Sequence, residues 1–281
     1  MIDLHGRFVW YELMTTDVRG AMAFYSKVMG WRAWDASTSD RRYILFSAGP
    51  ASVSGVMELT KEARDLGANS NWLGYVGVDD VDATTERIKS FGGVVHVPPV
   101  DAGDISRFSI FSDPQAARLA LLKWLRPGLQ RPVERAAPGR VGWHELLAAE
   151  WAPAWQFYSE VFGWRKVEKK IVSSDGYHLF SAAGETIGGM FSKELNMPGP
   201  FWLYYFNVDD IHATIGRLET AGGEIVHGPV EVTGGNWIAQ CRDPQGALFG
   251  LEGARRPDPL GYFPRAPSPD RSNDRRCSWS W

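Results

Sequence analysis

Phe24-Tyr25-Ser26-Lys27-Val28-Met29-Gly30-Trp31-Arg32 returns as Phe157-Tyr158-Ser159-Glu160-Val161-Phe162-Gly163-Trp164-Arg165, a spacing of 133 residues. The same spacing carries Trp10-Tyr11-Glu12-Leu13 onto Trp143-His144-Glu145-Leu146. Further along the spacing is 130: Val78-Asp79-Asp80 recurs as Val208-Asp209-Asp210, Gly92-Gly93 as Gly222-Gly223, and Asp113-Pro114-Gln115 as Asp243-Pro244-Gln245. A step of three in an otherwise constant spacing marks a loop of different length. One domain-sized unit is therefore present twice.

Ala21, Phe24, Tyr25 and Val28 fall at i, i+3, i+4 and i+7, as do Ala154, Phe157, Tyr158 and Val161, which predicts a helix with one buried stripe in each copy. Gly30 and Gly163 stand where a left-handed cap would end it. Upstream, Phe8 to Met14 predicts a strand with Phe8, Trp10, Glu12 and Met14 on one face and Val9, Tyr11 and Leu13 on the other. Strand-like runs follow at 32–36, 42–47 and 52–59. The plan then repeats, with a strand at 72–78, a helix from Asp80 to Phe91 closed by Gly92-Gly93, and strands near 94–97, 105–111 and 118–124. Ile211, Thr214, Ile215 and Leu218 stripe the matching helix of the second copy, for which Asp209 or Asp210 is the N-cap. Each copy is thus βαβββ twice, an α+β design.

The 281 residues suffice for two domains that each bury a core without disulfides. The expected boundaries are 1–126 for the first domain, 127–139 for a Pro/Gly-rich linker and 140–253 for the second domain. The remainder, 254–281, is rich in Arg, Pro, Ser and Asp and is expected to be a disordered tail. A net charge of −3 with interspersed signs gives no footing for nucleic acid. No run approaches the roughly 18 apolar residues of a membrane span, and the opening Met1-Ile2-Asp3-Leu4-His5 has no signal-like pattern. A cytoplasmic protein, monomer or homodimer, is expected. Cys241 and Cys277 sit in unrelated contexts and predict no disulfide framework or Cys-rich metal site. The thirteen Trp, many on predicted strands, can serve as core or as flat walls for a ligand.

A strand, Phe-Tyr-x-x-Val-x-Gly-Trp, Val-Asp-Asp opening a helix, Gly-Gly, and Asp-Pro-Gln before a last strand together resemble the vicinal oxygen chelate superfamily. That family includes glyoxalase I, bleomycin-resistance proteins, fosfomycin-modifying enzymes and extradiol dioxygenases. The resemblance covers about residues 6–125 and 140–253. It implies that paired βαβββ units form an incompletely closed eight-stranded barrel whose concave face holds the ligand, hence two cups in this chain.

In metal-dependent members, four His, Gln or Glu side chains on the first, fourth, fifth and eighth strands of a cup hold a divalent ion that acts as a Lewis acid. Those positions fall here on Trp10, Glu58, Leu73 and Ala120, and on Trp143, Phe191, Leu203 and Gly250. Glu58 is the only donor among them, so no metal or other cofactor is expected. Shifting the register by one would bring in His144, but on the helix-facing side.

What recurs instead is Trp10 with Glu12, and Trp143 with Glu145. A carboxyl among apolar neighbours has a raised pKa unless a donor or cation compensates, and can then serve as acid, base or hydrogen-bond acceptor. Ties to backbone N–H groups, or to Arg107 or Arg118 in the first copy, would make it structural. Tyr205, His178, Trp237 and Gln240 in the second cup, and Tyr75 and Arg107 in the first, complete the candidate ligand-binding set with Trp10 and Trp143. Three readings follow. One is a binding protein for a small aromatic or cyclic metabolite, as the bleomycin-resistance branch implies. Another is a divalent-metal lyase, isomerase or dioxygenase of the glyoxalase type, and the third is metal-free acid/base catalysis by Glu12 or Glu145. Whether the chain is an enzyme stays open.

Overall fold

The computed structural model describes residues 4–38, 42–65, 67–126, 135–168, 176–194, 199–232 and 234–256. In the first copy, β1 (Phe8–Thr15), α1 (Val18–Met29), β2 (Arg32–Asp35), β3 (Ile44–Ala48) and β4 (Ala51–Glu58) form one unit. The second unit is β5 (Asn71–Gly77), α3 (Val81–Ser90), β6 (Val94–Ala102), β7 (Ser106–Ser112) and β8 (Arg118–Trp124). A short α2 (Lys61–Asp65) lies between them, where periodicity predicts no element. The second copy runs β9 (Val141–Ala148), α4 (Trp151–Phe162), β10 (Arg165–Lys166), β11 (His178–Ala182) and β12 (Glu185–Ser192), then β13 (Phe201–Val208), α5 (Ile211–Thr220), β14 (Glu224–Glu231), β15 (Trp237–Arg242) and β16 (Leu248–Gly253).

Two eight-stranded mixed sheets result, ordered β2-β3-β4-β1-β5-β8-β7-β6 and β10-β11-β12-β9-β13-β16-β15-β14. Within a sheet, the first strand of each unit pairs in parallel with the last of that unit, and the two units join antiparallel through β1 and β5 or β9 and β13. Neither sheet closes into a barrel. The linker segment 127–134 and the tail beyond Arg256 lie outside the described residues.

The expected helix signals act as read. Gly30 and Gly163 adopt φ of 69° and 68° and end α1 and α4. Asp80 accepts from the Ala83 N–H, and Asp210, not Asp209, accepts from His212 and Ala213.

One apolar core is shared by both halves. It lies between the sheets and takes side chains from α1, α3, α4 and α5. The repeated motifs meet there reciprocally. Tyr25 donates to Asp243 at 3.0 Å and accepts from the Trp72 indole at 2.9 Å, while Tyr158 donates to Asp113 at 2.9 Å and accepts from Trp202 at 3.1 Å. The same aspartates accept the Gln115 and Ala117, or Gln245 and Ala247, backbone N–H groups, so the Asp-Pro-Gln turn doubles as a bolt between halves. Trp31 donates to the Gly139 carbonyl at 3.0 Å and Trp164 to that of Gly6 at 2.7 Å. The arrangement is pseudo-two-fold.

Near the pseudo-axis the copies diverge. Tyr204 fills space left by Gly74, where a Cβ would lie 2.7 Å from its ring, and its hydroxyl accepts the Gly74 N–H at 2.8 Å. His144, matched with Tyr11, stacks on Phe8 at 3.9 Å between centroids. Its Nδ1 lies 2.6 Å from the Ile187 carbonyl and must donate to it, so Nε2 accepts from the Tyr11 hydroxyl, also at 2.6 Å.

Phe8 corrects the alternation expected for β1. The register slips between Phe8 and Trp10 opposite Val76 and Tyr75. This bulge turns Phe8 into the shared core with Tyr11 and Leu13 and leaves Val9 and Trp10 on the opposite face, with Glu12 two residues on from Trp10.

Candidate functional site

Each sheet turns a second face away from the shared core, and each such face carries its own apolar cluster. In the first half it comprises Leu73, Tyr75, Ala120 and Leu122 with Val9, Trp10, Phe108, Ile110 and Trp124 packed against them. In the second it comprises Leu147, Phe191, Leu203, Tyr205 and Ile238 with Trp143, Tyr177 and others. These faces correspond to the two expected cups.

At the centre of each stands the recurring glutamate. Glu12 is 7% exposed and Glu145 1%. Two phenols serve each carboxyl. Tyr43 donates to Glu12 Oε1 at 2.7 Å and Tyr75 to Oε2 at 2.5 Å, while Tyr177 donates to Glu145 Oε1 at 3.1 Å and Tyr205 to Oε2 at 2.9 Å. The Trp10 indole donates to the Tyr43 oxygen at 3.1 Å, and Trp143 to Tyr177 at 2.8 Å. The second half extends the chain. Gln240 Nε2 donates to Tyr205 at 3.0 Å and lies 3.5 Å from Glu145 Oε2, whereas Ile110 is the matching residue in the first half.

Gly55 and Gly189 make these clusters possible. They lie beside Glu12 and Glu145 on β4 and β12, and a Cβ at either would run into Tyr43 or Tyr177. The glycine pair 188–189 therefore serves close approach as well as β-sheet irregularity.

Burial pushes the Glu145 carboxyl up to about 7, against the opposing pull of the Tyr205 and Tyr177 hydroxyls. Burial first, and then the Glu145 charge, push both phenols well above their ordinary range, so they keep their protons and remain donors. The result is a carboxyl that sits between its two protonation states near neutral pH, held by neutral donors.

Six candidates, Trp10, Tyr75, Trp143, Tyr205, Glu12 and Glu145, meet on these faces as expected, and Gln240 joins them. Three do not. Arg107 points to the helix side, where it pairs with Asp82 at 2.6 Å and Asp101 at 2.8 Å. Trp237 holds the matching position and packs near His212 on α5, under Arg255. His178 stacks on Trp151 of α4 at 3.4 Å, again on the helix side. In all three the strand alternation places the neighbouring residue outward: Phe108 for Arg107, Ile238 for Trp237, and Tyr177 for His178.

Glu58 needs the same correction. It is exposed at the end of β4 and pairs with Thr15, whereas Gly55 pairs with Glu12, so Met57 rather than Glu58 shares the cup face and matches Phe191. Arg107 and Arg118 do not reach Glu12, whose partners are tyrosines. Tyr43 and Tyr177 are not among the site residues expected from the sequence. Their signal was available in Tyr43-Ile44-Leu45-Phe46-Ser47-Ala48 against Tyr177-His178-Leu179-Phe180-Ser181-Ala182.

The four family positions carry Trp, Met, Leu and Ala in one half and Trp, Phe, Leu and Gly in the other. Among the described residues no three His, Cys, Asp or Glu side chains gather as a coordination shell requires. Nor is any described helix long and apolar enough to cross a membrane.

The family model described as "Glyoxalase/Bleomycin resistance protein/Dioxygenase superfamily" matches residues 7–121 and 140–251. "Putative glyoxylase CFP32" of Mycobacterium tuberculosis is 31% identical over 246 residues, covering 86% of this chain and 92% of that protein. "Anthracycline biosynthesis protein DnrV" of Streptomyces peucetius is 29% identical over 263 residues, covering 88% and 92%. Among solved structures, a Mn(II)-bound glyoxalase from Novosphingobium aromaticivorans superposes with a TM-score of 0.64 at 15% identity, covering 91% of this chain and 84% of that one. The 2,3-dioxygenase LapB from Pseudomonas sp. KL28 gives 0.61 at 14% identity, covering 93% and 97%. At such identities the likeness concerns the fold.

Proposed function

The chain belongs to the Glyoxalase/Bleomycin resistance protein/Dioxygenase superfamily, and from that premise we propose that it binds a small aromatic or cyclic metabolite on its cup faces without a metal ion. The observation that carries this reading is the Trp–Tyr–Glu–Tyr cluster in an aromatic, apolar surround. Such a face supplies flat walls and a few fixed polar groups, the usual composition of a small-molecule site. The relative named for anthracycline biosynthesis is in keeping with a ring-containing ligand. Titration of the protein with a panel of planar aromatic compounds, followed by tryptophan fluorescence and calorimetry, tests the reading. The expected result is saturable binding that returns the compound unchanged and weakens at least tenfold in at least one of the variants Tyr205→Phe and Tyr75→Phe. Failure of every compound to bind would overturn it.

A second reading rests on the Glu145 carboxyl near 7. A general acid or base works best with a pKa close to the operating pH. If a bound compound is converted, the rate should fall by about 100-fold or more in Glu145→Gln, the scale of acid–base assistance. Full turnover in that variant would exclude the role.

A further inference from the structure

The two cup faces share one layout, and they differ where a ligand would be read. In the first half Trp10, Tyr75, Ala120 and Ile110 lie side by side across four strands, and in the second Trp143, Tyr205, Gly250 and Gln240 do so. Trp10 meets the edge of Trp124 at 6.2 Å with planes 84° apart. Ala254 takes the place of Trp124 in the second half, and no ring among the described residues packs on Trp143. Tyr205 leans over Gly250, where a Cβ would strike its ring, and so reaches Gln240. Gln240 commits its amide N–H to that phenol, and no described residue donates to its carbonyl oxygen.

We propose that ligand binding is confined to the cup face of the second half, and that its ligand is a planar aromatic phenol whose ring lies on Trp143 and whose hydroxyl is donated to the Gln240 carbonyl. This rests on the binding function proposed above. Gln240 reaches across to within 3.5 Å of Glu145, which lies two residues, about 7 Å, along β9 from Trp143, a span that a fused two-ring compound covers better than a single ring. A carboxylate is disfavoured, because Glu145 and Glu252 both belong to this face and Arg242 at its edge is already bound to Glu224 at 2.9 Å. An ammonium group gains little, because both Glu145 oxygens are taken by phenols and Glu252 accepts from Asn236 at 3.0 Å.

Titration of the full chain with 2-naphthol, 2-methoxynaphthalene, 2-naphthoate and 2-(aminomethyl)naphthalene tests both parts, with circular dichroism and melting temperature as controls for folding. One equivalent of 2-naphthol should bind, at least tenfold more tightly than the other three. Ala254→Trp should remove binding by covering Trp143. Gln240→Ile should cost 2-naphthol about tenfold and leave 2-methoxynaphthalene unaffected, because only the former donates a hydrogen bond. Binding of two equivalents, loss in Trp10→Ala but not in Ala254→Trp, or preference for the amine or the acid would overturn this inference while leaving the binding function standing. Absence of binding by these probes and by the wider aromatic panel would overturn the binding function itself.

Discussion

Glu145 places an unusual demand on its surroundings, because a buried carboxyl is most stable neutral. Its ordinary value of 4.5 rises to about 7 in the fold. The folded chain therefore holds this proton more tightly than the unfolded chain. The associated stability is fully present below about 4.5, declines as the pH rises from there, and is gone above about 7, a loss of roughly 3 kcal/mol if no other group intervenes. Glu145→Gln keeps a neutral, similarly shaped side chain at every pH. The melting temperature of the wild type relative to Glu145→Gln should thus fall between pH 5 and 7 and level off above pH 8. A relative rise over that interval would mean that the carboxyl is held as the anion, contrary to the dominance of burial over the two phenol donors. Gly55 and Gly189 show the same dependence at the scale of single atoms, since each cluster exists only because the neighbouring strand offers no side chain where a phenol lies.

Helices and strands differ in how openly the sequence displays them. The 3.6-residue stripe through Phe24-Tyr25 and Phe157-Tyr158, the glycine caps and the Asp80 and Asp210 N-caps are local signals, and local geometry obeys them. Strand faces are harder to read, because one displaced residue reverses every assignment beyond it. The bulge at Phe8 to Trp10 cannot be seen in β1 alone, since it depends on the partner β5. Arg107, His178, Trp237 and Glu58 therefore lie one residue out of phase with the face expected for them, whereas recurrence alone identifies Glu12 and Glu145. The Tyr-Asp bolts were visible as repeated letters, but their pairing across halves was not, because repetition says nothing about which copy meets which. That pairing yields a prediction for α4. Tyr158→Phe removes the Asp113 donor and leaves the buried Trp202 indole without its acceptor. A buried polar group left unpaired costs about 1–3 kcal/mol. Chemical denaturation should show a loss of about 2 kcal/mol, and Tyr25→Phe should match it through Asp243 and Trp72. A loss below about 0.5 kcal/mol would mean that water or rotation satisfies these groups.

Across the whole molecule, the copies are joined more intimately than two domains on a linker need be. The core between the sheets draws on both halves, and polar ties surround it. Arg217 of α5 donates twice to the Val28 carbonyl at the end of α1, at 3.1 and 3.2 Å, and Arg87 of α3 donates to the Glu160 carbonyl near the end of α4 at 3.0 Å. Each guanidinium thus serves the C-terminal carbonyls of a helix from the other half, where a cation is favoured. Arg7 and Arg135 converge on Glu185 at 2.7 and 3.7 Å. If either half unfolded alone, the other would expose Phe24, Tyr25 and Trp72 or Phe157, Tyr158 and Trp202 to water, together with their unpaired polar partners. Three aromatic side chains carry roughly 450–750 Å² of surface, worth at most about 11–19 kcal/mol at about 25 cal/mol per Å², which is comparable with the whole stability of an ordinary domain. The intact chain should therefore unfold in urea as one cooperative unit, with tryptophan fluorescence and far-ultraviolet circular dichroism giving coincident curves. Tyr158→Phe and Tyr25→Phe should move the whole transition to lower urea without splitting it. Two separated transitions, or a split produced by either variant, would show that each half carries enough of the core to stand alone.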